Sequence, residues 1–254
     1  MKRRDSIRLL AMVAITCCYW KTEKAKATSW SYQGETGTDF WGELDPEFMT
    51  CSVGNAQSPV NIEGSGFSLD VGSIDFNYQD TPLAIVNNNR TIRVDYQPGS
   101  SLSLDGKEYE LLQFHFHQPS EHLISGKAAD MEAHFVHQNK MTGDLVVLAL
   151  FMSEGKTNQA LESIWQEIPT ADSQVSQVAD LTINALQLLP EDSKRFYRYQ
   201  GSLTTPPCSE IVTWLVLKQP VEISRSQIAS FLDIIGVNAR PVQALNQRTL
   251  SESP

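Results

Sequence analysis

The chain has 254 residues, 41% of them hydrophobic, and a formal net charge of −10 at pH 7, so it can bury a sizeable core. The excess of acid argues against nucleic acid or an anionic membrane surface as a partner. No internal linker, repeat or low-complexity stretch interrupts it, so one domain is expected over residues 28–254.

Residues 1–27 read as an export signal that is removed. Lys2, Arg3, Arg4 and Arg8 form a basic start, Leu9 to Tyr19 a short apolar run, and Ala25-Lys26-Ala27 an A-x-A cleavage site. The apolar run is short for a bilayer span. An uncleaved anchor, a lipid attached at Cys17 or Cys18, and a twin-arginine route through Arg3-Arg4 stay open as alternatives. Removing seven basic and two acidic residues takes the charge to −15. The expected location is periplasmic or extracellular, with no stable membrane insertion of the mature chain. The oligomeric state is left open.

Strand signals dominate the remainder of the chain. Leu83–Val86 and Thr91–Tyr96 flank an Asn-rich turn, and Leu102-Ser103-Leu104 meets Asp105-Gly106, a two-residue hairpin signal. The chain then enters Gln113-Phe114-His115-Phe116-His117. Met131–Gln138 and Leu145–Met152 are two more strands around the turn at 141–144. Helices are few. Asn158 caps one carrying Leu161, Ile164, Trp165 and Ile168 on a single face, stopped by Pro169. Ser224-Arg225-Ser226-Gln227 is a capping box for a second, with Gly236 just past its end. The pattern fits a mainly β domain, a mostly antiparallel sheet with small peripheral helices.

All five histidines lie between residues 115 and 137. Strand side chains alternate between faces. Gln113, His115 and His117 therefore share one face, with Leu112, Phe114 and Phe116 on the other; Glu132, His134 and Val136 are likewise opposed to Ala133 and Phe135. One face of each strand is greasy. The imidazole face needs a cleft or a metal, because a buried unpaired polar group costs about 1–3 kcal/mol. Three neutral imidazoles leave one corner of a tetrahedral Zn²⁺ open, which is a catalytic arrangement, and such an ion brings the pKa of its water to about 7. Gln113 and Glu132, each two residues before a histidine, are placed to take a free ring N–H and fix the tautomer.

His115-x-His117-xxx-Glu121 also resembles the first metal motif of cupins, Mn or Fe proteins in which Glu121 would be a ligand. The glycine expected six residues before the first histidine is Tyr109 here, and no Pro-x-Gly precedes His134 at cupin spacing.

Together with the histidine strands, Ser120-Glu121-His122 and the run Gly201-Ser202-Leu203-Thr204-Thr205-Pro206-Pro207-Cys208-Ser209-Glu210 resemble the α-class carbonic anhydrases. So do residues 57–62 (QSPVNI) and 238–243 (NARPVQ), and the likeness runs over roughly 30–250. It implies a central sheet of about ten strands and reversible hydration of CO2 to bicarbonate at zinc. In that reading His115, His117 and His134 bind the metal, and the Asn246 carbonyl orients His117. Thr204 donates to Glu121, which can only accept, and so accepts from the attacking hydroxide and aims it. Val136, Val147, Leu203, Val212 and Trp214 form the apolar CO2 pocket, and Thr205 sits beside bicarbonate. Tyr32, Tyr199 and Arg248 fall at framework positions, and His122 and His137 are structural. The resemblance also implies a Cys51–Cys208 disulfide. That bond closes a loop of about 157 residues, worth about 5 kcal/mol in the chain-entropy model, with two inert buried thiols as the alternative. A catalytically silent binding module on the same fold is the competing function; its usual mark, a lost zinc histidine, is missing here.

The segment Val86–Arg90 aligns with the one that carries a proton-shuttling histidine in fast family members, and Arg90 stands at that position. An arginine does not release its proton near neutral pH. With recombination on the order of 10¹⁰ M⁻¹s⁻¹, a water of pKa about 7 sheds protons directly at only ~10³ s⁻¹. The reference turnover for shuttle-equipped members of this class, not a figure for this chain, is ~10⁶ s⁻¹. Dependence on external buffer is therefore expected.

Overall fold

In the computed structural model, which describes residues 28–64, 71–169 and 175–253, the histidine strands lie side by side in the middle of one large sheet. The export signal expected at 1–27 lies outside the described residues. In chain order the strands are β1 (Asn61–Ile62), β2 (Ile74–Asn77), β3 (Thr81–Asn87), β4 (Ile92–Asp95), β5 (Ser101–Leu104), β6 (Lys107–His117) and β7 (Leu123–Ile124). They continue as β8 (Met131–Gln138), β9 (Leu145–Glu154), β10 (Ser176–Ile183), β11 (Phe196–Gly201), β12 (Val212–Leu217), β13 (Val221–Ile223) and β14 (Ser251–Glu252). Twelve of them form one sheet, with main path β10-β3-β4-β6-β8-β9-β12-β11-β14, so the expectation of about ten strands was slightly low. Pairing is mainly antiparallel; β9 pairs in parallel with both β12 and β13.

Local sequence explains the registers. Asp105 (φ 53°) and Gly106 (φ 73°) both adopt the left-handed conformation of a two-residue turn, pairing Leu104 with Lys107. On β6 the alternation breaks once. The register shifts between Leu111 and Gln113, so Leu111 is fully buried and Leu112 is 38% exposed. Leu112 therefore does not share the greasy face expected for it: a bulge turns it to solvent and restarts the alternation at Gln113. From there His115 pairs with His134 and Phe114 with Phe135.

The sheet separates two apolar clusters. The larger takes Phe114, Phe116, Ala133 and Phe135 from the backs of the histidine strands. The smaller holds Val147, Val212, Trp214 and Tyr199, with Val136 and Leu203 packed against it. Among the helices, α1 (Trp41–Leu44) and α2 (Thr50–Val53) are single turns; α3 (Gln159–Trp165) and α4 (Arg225–Ile235) cover the larger cluster through Leu161, Ile164 and Phe231. Asn158 and Ser224 cap α3 and α4 as expected, and Gly236 ends α4 at φ 79°. α3 stops at Trp165, short of Pro169, yet Ile168 still packs on the core from the following turn. No helix of the described residues is long and apolar enough to cross a membrane.

Candidate metal centre

Each imidazole of the trio has one ring nitrogen already engaged. Gln113 Oε1 accepts from His115 Nδ1 at 2.9 Å, and Glu132 Oε1 accepts from His134 Nε2 at 2.8 Å, both as the spacing predicts. His117 Nδ1 donates to the Asn238 carbonyl at 2.9 Å. That corrects the assignment to Asn246, whose side chain instead donates to the Asn55 carbonyl. The Asn238 side chain is locked into the same place: its Oδ1 takes the Gln118 N–H, and its Nδ2 donates to the carbonyls of Phe116 and Arg90.

The three histidines can each present a nitrogen within 4.8 Å of the other two. Fixing Nδ1 of His115 and His117, and Nε2 of His134, leaves Nε2, Nε2 and Nδ1 as the free lone pairs. Burial, reinforced by the neighbouring imidazoles, pushes His115 well below the usual histidine pKa; burial also lowers that of His117. The neutral, metal-binding form is thus favoured at both. His117 Nε2 is buried without a hydrogen-bond partner, and so is Glu121 Oε2, 3.5 Å away. Two facing lone-pair atoms with no donor between them fit a site built for a cation. The donor set, three neutral imidazoles, suits zinc.

Glu121 is aimed from below. Its Oε1 accepts the Arg240 backbone N–H at 2.8 Å. The Arg240 guanidinium reaches Gln57 Oε1, the Ser58 carbonyl and the Cys51 carbonyl, and its burial lowers its pKa to about 10. Sequence reasoning missed this brace; the match at 238–243 placed Arg240 nearby but gave it no partner. Thr204 is buried, 5% exposed, but the expected bond to Glu121 is not made, since Oε2 has no partner.

Glu132 does more than orient His134. Its Oε1 also accepts from His122 Nδ1 at 2.6 Å, and its Oε2 takes the His122 N–H. His122 Nε2 lies 2.6 Å from the Tyr199 hydroxyl, itself 2.9 Å from Ser58 Oγ. Burial opposes ionisation of Glu132, but the imidazoles it faces outweigh that and hold it well below the usual carboxylate range. His122 is therefore structural, as expected. His137 is too: the Val146 carbonyl takes its Nδ1–H, and its Nε2 accepts the Tyr78 hydroxyl proton.

The expected pocket residues line up beside the trio. Val136 pairs with Val147 and Val147 with Trp214, one strand after another, while Val212 and Leu203 join the same cluster. Trp214 packs against His134 at 4.8 Å between ring centroids and donates to the Ser202 carbonyl. Thr205 follows Thr204 in the loop that leads to Cys208, whose N–H donates to the Thr205 carbonyl. The Cys51–Cys208 disulfide is present and ties that loop to α2. Arg90 stands at the end of the β3–β4 turn with no imidazole beside it; its guanidinium lies 4.4 Å above the Trp30 ring.

A mainly β scaffold with three tautomer-locked imidazoles on one face and an apolar wall beside them belongs to the class of proteins whose sheet carries a His₃ cluster able to hold a metal. Comparison with known proteins names the class. The family model for eukaryotic-type carbonic anhydrases matches residues 36–254. A carbonic anhydrase of Nostoc sp. is 42% identical over 260 residues, spanning 99% of this chain and 97% of that protein. One from Neisseria gonorrhoeae is 42% identical over 248 residues, 96% of each. The solved α-carbonic anhydrase of Thermovibrio ammonificans, in complex with the inhibitor sulfanilamide, superposes with a TM-score of 0.84. It is 41% identical and covers 89% of this chain and 100% of that one. The chain belongs to the α-class carbonic anhydrases.

Proposed function

We propose that the chain interconverts CO2 and bicarbonate at a zinc ion held by His115, His117 and His134. The carrying observation is the allotment of ring nitrogens: one of each imidazole is tied to Gln113, Asn238 or Glu132, and the free ones converge. When bound, zinc supplies the Lewis acidity that lets a water lose its proton near neutral pH. Everything else falls to the chain. Glu121, held through Oε1 by Arg240, keeps Oε2 for the Thr204 hydroxyl. Having donated there, Thr204 can only accept from the attacking oxygen, which turns that oxygen's lone pair toward substrate. Val136, Val147, Leu203, Val212 and Trp214 offer CO2, which has no net charge or dipole, a dry wall; Thr205 stands beside the bicarbonate product.

Arg90 occupies the position where a shuttle histidine would stand, and the described structure gives both other histidines, His122 and His137, two partners each. Proton release therefore depends on buffer in solution. The disulfide supports an oxidising compartment and hence export of the chain.

Stopped-flow CO2 hydration, run with zinc quantification and a sulfonamide arm, tests this reading. It expects one zinc per chain, inhibition by the sulfonamide, and a kcat that climbs with imidazole concentration. Folded protein without zinc sinks the site, and a fast rate indifferent to imidazole sinks the buffer dependence.

A further inference from the structure

A cavity of about 630 Å³ opens where the N-terminal segment (Trp30, Tyr32), the β3–β4 turn (Asn88, Asn89, Arg90) and the end of α4 (Gly236) meet. Among the described residues no Asp, Glu or Lys lines it, and Arg90 is its one charged lining residue. In a chain with 30 acidic residues, an acid-free wall around a guanidinium is a distinct environment.

Three donor nitrogens on that wall are uncommitted among the described residues. Arg90 uses Nε to reach the Trp30 carbonyl at 3.0 Å and stacks on the Trp30 ring, which fixes the plane of the guanidinium. Its two terminal nitrogens have no hydrogen-bond or ion-pair partner among the described residues. The Asn88 Oδ1 accepts the N–H groups of Arg90 and Thr91, which turns its amide nitrogen, equally unpartnered there, outward as a further donor. A rigid guanidinium with both terminal nitrogens free, beside an amide donor, is a fork for an oxyanion.

The cavity is tied to the metal centre through one asparagine. The Arg90 carbonyl accepts from Asn238 Nδ2 at 2.8 Å, and the carbonyl of the same asparagine takes the His117 Nδ1–H. Tyr32, on the cavity lining, is close enough to feel the charges of both Glu121 and Arg90.

We propose that this cavity docks a small oxyanion base, with hydrogen phosphate as its prototype, which takes the proton released by CO2 hydration. The inference rests on the function proposed above. It changes the role of Arg90: the residue does not carry the proton but holds its acceptor in this cavity. The balance is simple. CO2 and water give bicarbonate and a proton; HPO4²⁻ takes that proton and leaves as H2PO4⁻. A net charge of −10 disfavours anions elsewhere on the surface, so the effect is local and weakens with added salt.

Two arms test it on the zinc-loaded chain. In the first, calorimetry with inorganic phosphate expects saturable binding that weakens about tenfold in Arg90→Met. Asn89→Asp, which adds an acid to the same lining, expects the same weakening and leaves the Arg90–Trp30 stack in place. Asn89 sits at φ 60°, a conformation that aspartate tolerates. In the second, stopped-flow hydration at fixed pH and ionic strength compares phosphate with imidazole. The ratio of half-saturating concentrations, phosphate over imidazole, should rise about tenfold in each variant. No saturable phosphate binding, or an unchanged ratio in both variants, overturns the proposal. Phosphate binding with no hydration in any buffer instead overturns the catalytic reading and the proton-acceptor role together.

Discussion

On the back of β6 and β8, Phe114, Phe116, Ala133 and Phe135 are fully buried and belong to the larger apolar core. On the front of the same strands, His117, Glu132 and His134 are buried almost as completely, yet each polar atom either has a named partner or points at the trio's centre. The backs obey a volume rule, and any well-fitting hydrocarbon satisfies it. The fronts obey an accounting rule, in which one missing acceptor frees a ring nitrogen or strands a buried charge. One backbone serves both because strand side chains alternate, and the bulge at Leu112 shows how local the alternation is.

Removing a ligand should separate the two faces most sharply. His134→Ala abolishes CO2 hydration and costs the stoichiometric zinc, read by metal analysis and stopped flow. The chain should still show native-like far-UV circular dichroism, because the back of β8 is untouched. A variant that keeps full speed breaks the assignment of the front face to chemistry.

Phe135→Ala is the mirror experiment. Phe135 is fully buried with its ring 5.3 Å from that of Phe114, so truncation should cost about 3–5 kcal/mol in urea unfolding. Zinc content and turnover per folded molecule should hardly move. Loss of zinc from the folded fraction would mean that the two faces are not independent.

These contrasts also mark what the sequence could show. The trio, Gln113 and Glu132 were legible because side-chain chemistry at spacing two survives in a string of letters. Asn238 was not, because the group that serves His117 is a backbone carbonyl, which every residue carries. Asn246 was the wrong choice for that reason. Only the path of the chain after α4 decides which carbonyl arrives. The Arg240 brace on Glu121 was hidden in the same way, since the donor is a main-chain N–H contributed from 119 residues away. Leu112 failed for a different reason: a bulge adds a residue without leaving a compositional trace.

His137 is the exception that tests the volume rule, a polar ring on the core side of β8. Burial lowers its pKa to about 4, against an ordinary value of 6.5. The folded state therefore refuses a proton that the unfolded chain accepts between those values, so this group makes stability fall as pH drops from about 6.5 toward 4. From pH 7.5 to 4.5 the loss is roughly 2–3 kcal/mol. Urea unfolding of the metal-free chain at both pH values should show it. His137→Gln, which keeps a hydrogen-bonding group near Tyr78, should shrink the pH difference by that amount. An unchanged difference would place the acid sensitivity elsewhere.

The smallest effect is the most diagnostic for the front face. Among the described residues the Gln113 side chain hydrogen-bonds His115 alone, whereas Glu132 holds both His134 and His122 and cannot be altered without disturbing a second ring. Gln113→Leu removes one acceptor and leaves His115 free to choose its tautomer and swing. Zinc affinity should fall about 10–100-fold, equivalent to about 1.4–2.7 kcal/mol, as measured by competition with a chelator. The unfolding midpoint of the metal-free chain should stay within about 0.5 kcal/mol, because Gln113 is only partly buried. An intact affinity would show that packing against His117 and His134, whose ring centroids lie 5.1 and 5.4 Å from that of His115, already fixes this ring. In that case the accounting rule would govern only the two fully buried ligands, His117 and His134, and packing would hold His115.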